Sequence, residues 1–166
     1  KKIFLPLLAF NVAILIACAT VERQRTVYSS DIQPDSTIDV QHGHPDGLLR
    51  VASINVAHGR KDSFNQLLVP NGTIVENLDD VAELLKKVGA DVVALQEADG
   101  PSAWSGYFNH VDYLANAAGY PWDIYSAHVN GKRINFGTAL LSKVPFKDTL
   151  SHDFPESPPT LRKGFT

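Results

Sequence analysis

Apolar residues recur at helical spacing in the stretch "NLDDVAELLKKVG", where Val81, Leu84, Leu85 and Val88 share one side of a helix. Asn77 is its expected N-cap. Asp79 and Asp80 would sit in the positive first turn, Lys86 and Lys87 in the negative last turn, and Gly89 at the stop. Directly after it, Asp91 to Gln96 is a short apolar run of the kind found in buried strands. Leu48 to Val56 reads as an earlier strand covered on both faces. Between them Arg60 to Glu76 shows neither a helical nor an alternating period and contains "PNG", which predicts a long loop. A second helix is expected from about Ser102 to Ala118, with Trp104, Phe108, Val111, Leu114 and Ala118 inward and Gly119 as its stop. "WDIYSAHV" and "NFGTALLS" read as strands joined through Asn130-Gly131, a tight-turn signal. "HDFPESPPTLRKGFT" is a proline-rich connection entering a further strand. Strand, loop, helix, strand predicts an α/β layered domain.

The first residues follow another pattern. Lys1 and Lys2 precede an apolar run from Ile3 to Ala17, and small residues surround Cys18, the anatomy of a secretory signal over residues 1–18. The run is shorter than the roughly 20 apolar residues that a transmembrane helix needs. "LIAC", Leu15 to Cys18, resembles the lipobox of bacterial lipoproteins, and Cys18 is the single cysteine of the chain. An exported protein with one cysteine at that position, and no partner for a disulfide, fits a lipid-modified anchor. Residues 19–46 are polar, with "QHGHPDG" near their end, and are expected to form a tether between anchor and domain. His42 and His44 within it lack a fixed geometry for a metal pair. Residues 47–166 are expected to hold the domain. The chain starts at Lys1 and contains no methionine, which suggests a partial sequence.

Composition narrows the function classes. The 166 residues are 44% hydrophobic and 20% charged, with a formal net charge of −3, as in an ordinary soluble domain. Nothing in that balance attracts phosphate polymers over the whole chain, so phosphate recognition has to come from a local site or a metal ion.

One acid is conspicuous. In "GADVVALQEAD" the carboxylate of Glu97 follows "VVALQ" directly, and an ionised carboxylate beside a packed interior is costly unless a cation, donors or water compensate. Mg²⁺ is an efficient compensation, because it takes oxygen ligands from one or two carboxylates and keeps water and substrate phosphate in its other positions. Asn55 ends the preceding strand in a similar way, and in layered α/β folds sites are built where strands end.

The series "LRVASINVAHG" (Leu49 to Gly59), "ADVVALQEAD" (Ala90 to Asp99) and "FGTALLSKVPF" (Phe136 to Phe146) resembles the opening half of the endonuclease/exonuclease/phosphatase superfamily. The fold that this resemblance implies is α/β, a DNase I-like layered sandwich in which helices flank two packed mixed sheets, here its first half. It implies that Glu97 ligates a catalytic Mg²⁺ or Mn²⁺ and that Asn55 supports the metal or the scissile phosphate. His58 and Asp99 would follow in loops that face substrate. Tyr113, Tyr120 and His110 fit helix packing, His128 and His152 receive no role, and Arg162 and Lys163 form a solvated basic pair. The family pattern also implies a later His, an Asp-x-Asn and an Asp-His pair, none of which occurs in the 166 residues; the chain alone is therefore expected to be inactive, with an exposed sheet edge and apolar face.

The implied activity is metal-dependent hydrolysis of phosphate esters by an exported, membrane-anchored, monomeric lipoprotein. Its substrate is a nucleic acid or a lipid headgroup. The rival reading is a noncatalytic envelope lipoprotein that uses the same fold as a binding module.

Overall fold

The structure, a computed structural model, describes residues 27–29, 47–63, 65–155 and 164–166. Seven strands and two α-helices lie in these segments: β1 (Val27–Ser29), β2 (Val51–Asn55), α1 (Asn71–Val88), β3 (Val92–Asp99), α2 (His110–Ala118), β4 (Trp122–Asn130), β5 (Asn135–Ser142), β6 (His152–Asp153) and β7 (Gly164–Phe165). The main sheet is mixed, in the order β1-β4-β5-β3-β2, and β6 pairs with β7 separately. β2 and β3 are parallel and α1 connects them, while the remaining pairs are antiparallel. β1 falls within the segment expected to be a tether. The signal, the lipobox with Cys18, the His42/His44 pair and the Arg162/Lys163 pair lie outside the described residues.

Both helices pack on one face of the sheet. Ile74, Leu78, Ala82 and Leu85 of α1 recur every three or four residues and meet Val111, Leu114 and Ala115 of α2 above Val93, Leu95, Ala139, Leu141, Tyr125 and Ala127 of the strands. The lysines at positions 86 and 87 stand in the last turn of α1 as expected, and Gly89 and Gly119 close the two helices in the left-handed conformation that glycine adopts without a steric penalty.

Several boundaries differ from the sequence reading. α1 begins at Asn71 with Pro70 as its N-cap, so the expected loop over 60–76 ends in a turn and a half of helix. Burial of Ile74 and Leu78 outweighs the turn signal of "PNG". Asn77 accordingly lies inside the helix and is no cap; its Nδ2 donates to the Gly59 carbonyl at 2.8 Å. Asp79 and Asp80 are likewise well past the first turn, and the buried stripe runs through Leu78 and Ala82, leaving Leu84 and Val88 about half exposed. α2 is shorter than expected, because Asn109 accepts hydrogen bonds from the amides of Val111 and Asp112 and so sets the helix start eight residues after Ser102. Four residues, 131–134, separate β4 from β5 across the Asn130–Asn135 pair, in place of a two-residue turn.

β2 is an edge strand with alternating exposed and half-buried residues, not a strand covered on both faces. The strand buried along nearly its whole length is β4. An apolar run does not by itself distinguish the two cases. Val51 is 64% exposed and, with Leu48 and Leu49, leaves apolar surface along this edge.

Candidate active site at a bulge in β3

Val93 and Leu95 point alternately into the helix-covered core, and a regular strand would place Glu97 next in that row. The strand breaks step there. Gln96 pairs with Thr138 and Ala98 with Gly137, so Glu97 is an extra residue between them, a β-bulge. Ala98 takes the core position, fully buried, and the Glu97 carboxylate is expelled to a place where 42% of its side-chain surface stays accessible. Glu97 therefore does not terminate the strand, as expected from its sequence position, but bends it two residues before its end. Its φ of +51° lies in the left-handed region, which costs a non-glycine residue roughly 1–2 kcal/mol.

Asn55 ends β2 as expected, and its register partner is Gln96, one residue before the bulge. Its Oδ1 accepts the Ala57 amide at 2.8 Å, and the chain then turns through two further left-handed residues, Ala57 (φ +47°) and His58 (φ +56°). That turn swings the His58 ring back toward β3. Nε2 lies 3.5 Å from Glu97 Oε2 and Nδ1 lies 2.7 Å from Asp99 Oδ1. The structure thus gathers Asn55, His58, Glu97 and Asp99 at one end of the β2–β3 pair.

Asp99 departs from its expected position. It is the last residue of β3, completely buried, and cannot face a substrate from a loop. Burial raises its pKa above the ordinary 3.8, opposed by the hydrogen bond and charge of His58 and by the charge of His110. His110 was expected only to pack α2. It is also fully buried, with Nε2 2.9 Å from the Ser105 carbonyl oxygen, which accepts the hydrogen bond, and Nδ1 4.0 Å from Asp99 Oδ2. That separation is too long for a hydrogen bond, so both facing atoms lack a partner. Desolvation lowers the His110 pKa from 6.5, against the attraction of Asp99 and the bond to Ser105. The neutral imidazole is the form this environment favours.

Three more residues, not singled out for this role in the sequence, complete the surroundings of His58. Trp104 and Phe136 stand edge-on to its ring with centroids at 5.6 and 5.4 Å. Gln66 Nε2 donates to the carbonyls of His58 and Trp104 at 2.9 and 3.2 Å. Phe136 opens the motif "FGTALLS", which was its only sequence signal.

Glu97 and Asn55 offer oxygen donors of the type a hard divalent cation takes, and one lone pair of the Asn55 oxygen is already used by Ala57. Among the described residues no group of three or more His, Cys, Asp or Glu side chains is arranged to hold a metal ion. A closed protein cage is therefore not formed by these side chains, and a cation held by one or two of their oxygens would keep its other positions for water.

Residues 52–164 match the Endonuclease/Exonuclease/phosphatase family, and the chain belongs to that family. The match supports the DNase I-like α/β fold for the mixed sheet and its helices and places the chain among phosphoester hydrolases. Comparison with curated proteins and with solved structures returned no match.

Proposed function

We propose that the protein hydrolyses phosphate esters with the help of Mg²⁺ or Mn²⁺, and that Glu97 and Asn55 lie at the reacting centre. The observation that carries this reading is the bulge: a carboxylate is removed from a core position, held in a strained backbone conformation and left half accessible beside the end of β2. Glu97 would hold the cation, with Asn55 supporting it or the scissile phosphate. When bound, the cation supplies charge neutralisation for the phosphoryl oxygens. Glu97 contributes negative charge and an oxygen donor, and the N–H groups of the Asn55 amide can orient a phosphate oxygen. The substrate class is a phosphate ester of a nucleic acid or of a lipid headgroup.

The test is hydrolysis of bis(4-nitrophenyl) phosphate by the full-length protein. Chelation with EDTA should abolish turnover and Mn²⁺ should restore it. Glu97→Ala should lower kcat/KM by about a hundredfold or more, equivalent to roughly 3 kcal/mol of transition-state stabilisation. Activity that survived both chelation and the substitution would contradict the metal role.

We further propose export and anchoring through a lipid on Cys18, supported by the Lys1-Lys2 start, the apolar run and the "LIAC" motif. No helix among the described residues is long and apolar enough to cross a membrane. Cys18→Ser should move the protein from the detergent phase to the aqueous phase in Triton X-114 partition; an unchanged distribution would exclude the anchor.

A further inference from the structure

The contact between His58 and Glu97 is held from behind with more constraint than a surface histidine requires. Asp99 Oδ1 lies 2.7 Å from Nδ1, and because Asp99 is completely buried its carboxylate cannot swing into solvent and release the ring. The edges of Trp104 and Phe136 meet the ring at interplanar angles of 85° and 76°, which limits its rotation. The backbone is fixed as well. Asn55 Oδ1 binds the Ala57 amide, Gln66 Nε2 binds the His58 carbonyl, and Ala57 and His58 are both held at positive φ. Glu97, at the other side of the contact, is the bulged residue and also has positive φ. Three non-glycine residues in the left-handed region thus meet across one 3.5 Å approach. Such conformations persist only where the surroundings over-determine them, and here the surroundings fix the orientation of a single imidazole.

We propose that His58 is a positioning residue for Glu97, with Asp99 as its clamp. The 2.7 Å bond to the buried Asp99 anchors the Nδ1 edge of the ring and thereby turns the Nε2 edge to Glu97. At 3.5 Å that edge fills the space beside Oε2 and so limits the rotamers open to the Glu97 side chain without consuming it as a strong hydrogen bond would, and an oxygen stays available to a hard cation. A carboxylate on a strained bulge, 42% accessible, otherwise samples several rotamers, and ordering it in advance raises affinity for whatever it binds. Asp99 and His58 act through Glu97 and do not touch substrate. The inference rests on the reading of Glu97 as the metal-holding carboxylate.

The test uses the full-length protein and Mn²⁺ alone, with free Mn²⁺ read from its electron paramagnetic resonance signal. His58→Ala should weaken Mn²⁺ binding about tenfold or more, and His58→Gln, whose amide still reaches toward Glu97, should recover part of the loss. Asp99→Ala, which removes the 2.7 Å bond that holds the ring, should weaken binding in the same direction. Carbon-13 relaxation of the Glu97 side chain gives a readout independent of metal: the side chain should be ordered in the unsubstituted protein and mobile in His58→Ala. If Glu97→Ala abolishes Mn²⁺ binding while His58→Ala and Asp99→Ala bind as tightly as the parent, the positioning role is overturned and the metal reading stands. If the parent binds no Mn²⁺, both fall. A Glu97 side chain as mobile in the parent protein as an unconstrained surface glutamate overturns the positioning role directly, even if the alanine variants fail to fold.

Discussion

The main sheet contains two bulges, one on either side of the same residue, and they end in opposite chemistry. Gly137 of β5 pairs with Ala98 of β3 and with Ala127 of β4. The extra residue of β3 is Glu97, between Gln96 and Ala98; that of β4 is His128, between Ala127 and Val129. His128 is closed. Its Nδ1 lies 2.8 Å from Asp153 Oδ1 and its Nε2 2.9 Å from Thr138 Oγ1, and its side chain is 3% exposed. Thr138 in turn bonds Thr166 at 2.7 Å, so the β4 bulge ties the β6–β7 segment to the sheet. Glu97 is open, with His58 Nε2 at 3.5 Å and 42% of its side chain accessible. The same backbone device places one polar side chain in a nearly inaccessible set of protein hydrogen bonds, and another where a large part of its surface stays accessible. The second is the one proposed above to take a cation.

The largest expected effect comes from removing what the bulges share. A Cβ on Gly137 would land on the Ser126 carbonyl oxygen and press the Ala127 backbone, neither of which can yield like a flexible side chain. Gly137→Ala should therefore push β4 and β5 apart and cost about 3 kcal/mol, the upper end of overpacking penalties, read as a lower urea midpoint. Both sites should suffer together: loss of Mn²⁺-dependent hydrolysis and faster proteolysis near residue 153. A variant as stable as the parent would mean that the two bulges do not depend on the close approach of β4 to β5.

This comparison also marks how far the sequence could be read. The α1 stop at Gly89, the β3 run and the polar residues at Asn55 and Glu97 were legible because each rests on local periodicity or on an acid out of place. The bulge itself was not, because it depends on what Gly137 allows across the sheet, 40 residues later in the chain. Nor was the His58–Asp99 pair: those residues are 41 apart, and nothing local indicates that a histidine after β2 folds back onto the end of β3. Reading "PNG" as a turn hid the start of α1 for a related reason, since the residues that hold it, Ile74 and Leu78, do so only by meeting the sheet and α2. Local pattern revealed the elements and the suspicious acid; non-local pairing decided which face that acid occupies.

The two bulged residues should separate when substituted one at a time. His128→Ala removes hydrogen bonds to Asp153 and Thr138 in a nearly inaccessible place, so it should lower stability by about 1–3 kcal/mol while leaving Mn²⁺ affinity within twofold of the parent, roughly 0.4 kcal/mol. Glu97→Gly should do the reverse. Glycine accepts φ near +51° without the steric penalty, and although it loses more chain entropy on folding, the balance should leave stability unchanged or up to about 1 kcal/mol higher. The strain relieved is strain held for the carboxylate, so Mn²⁺ binding and phosphodiester hydrolysis should disappear from the more stable protein. Urea midpoints and Mn²⁺ titrations on the same two preparations decide the matter. If Glu97→Gly is the less stable of the two, or if His128→Ala is the one that loses the metal, the closed and open bulges have been assigned the wrong way round.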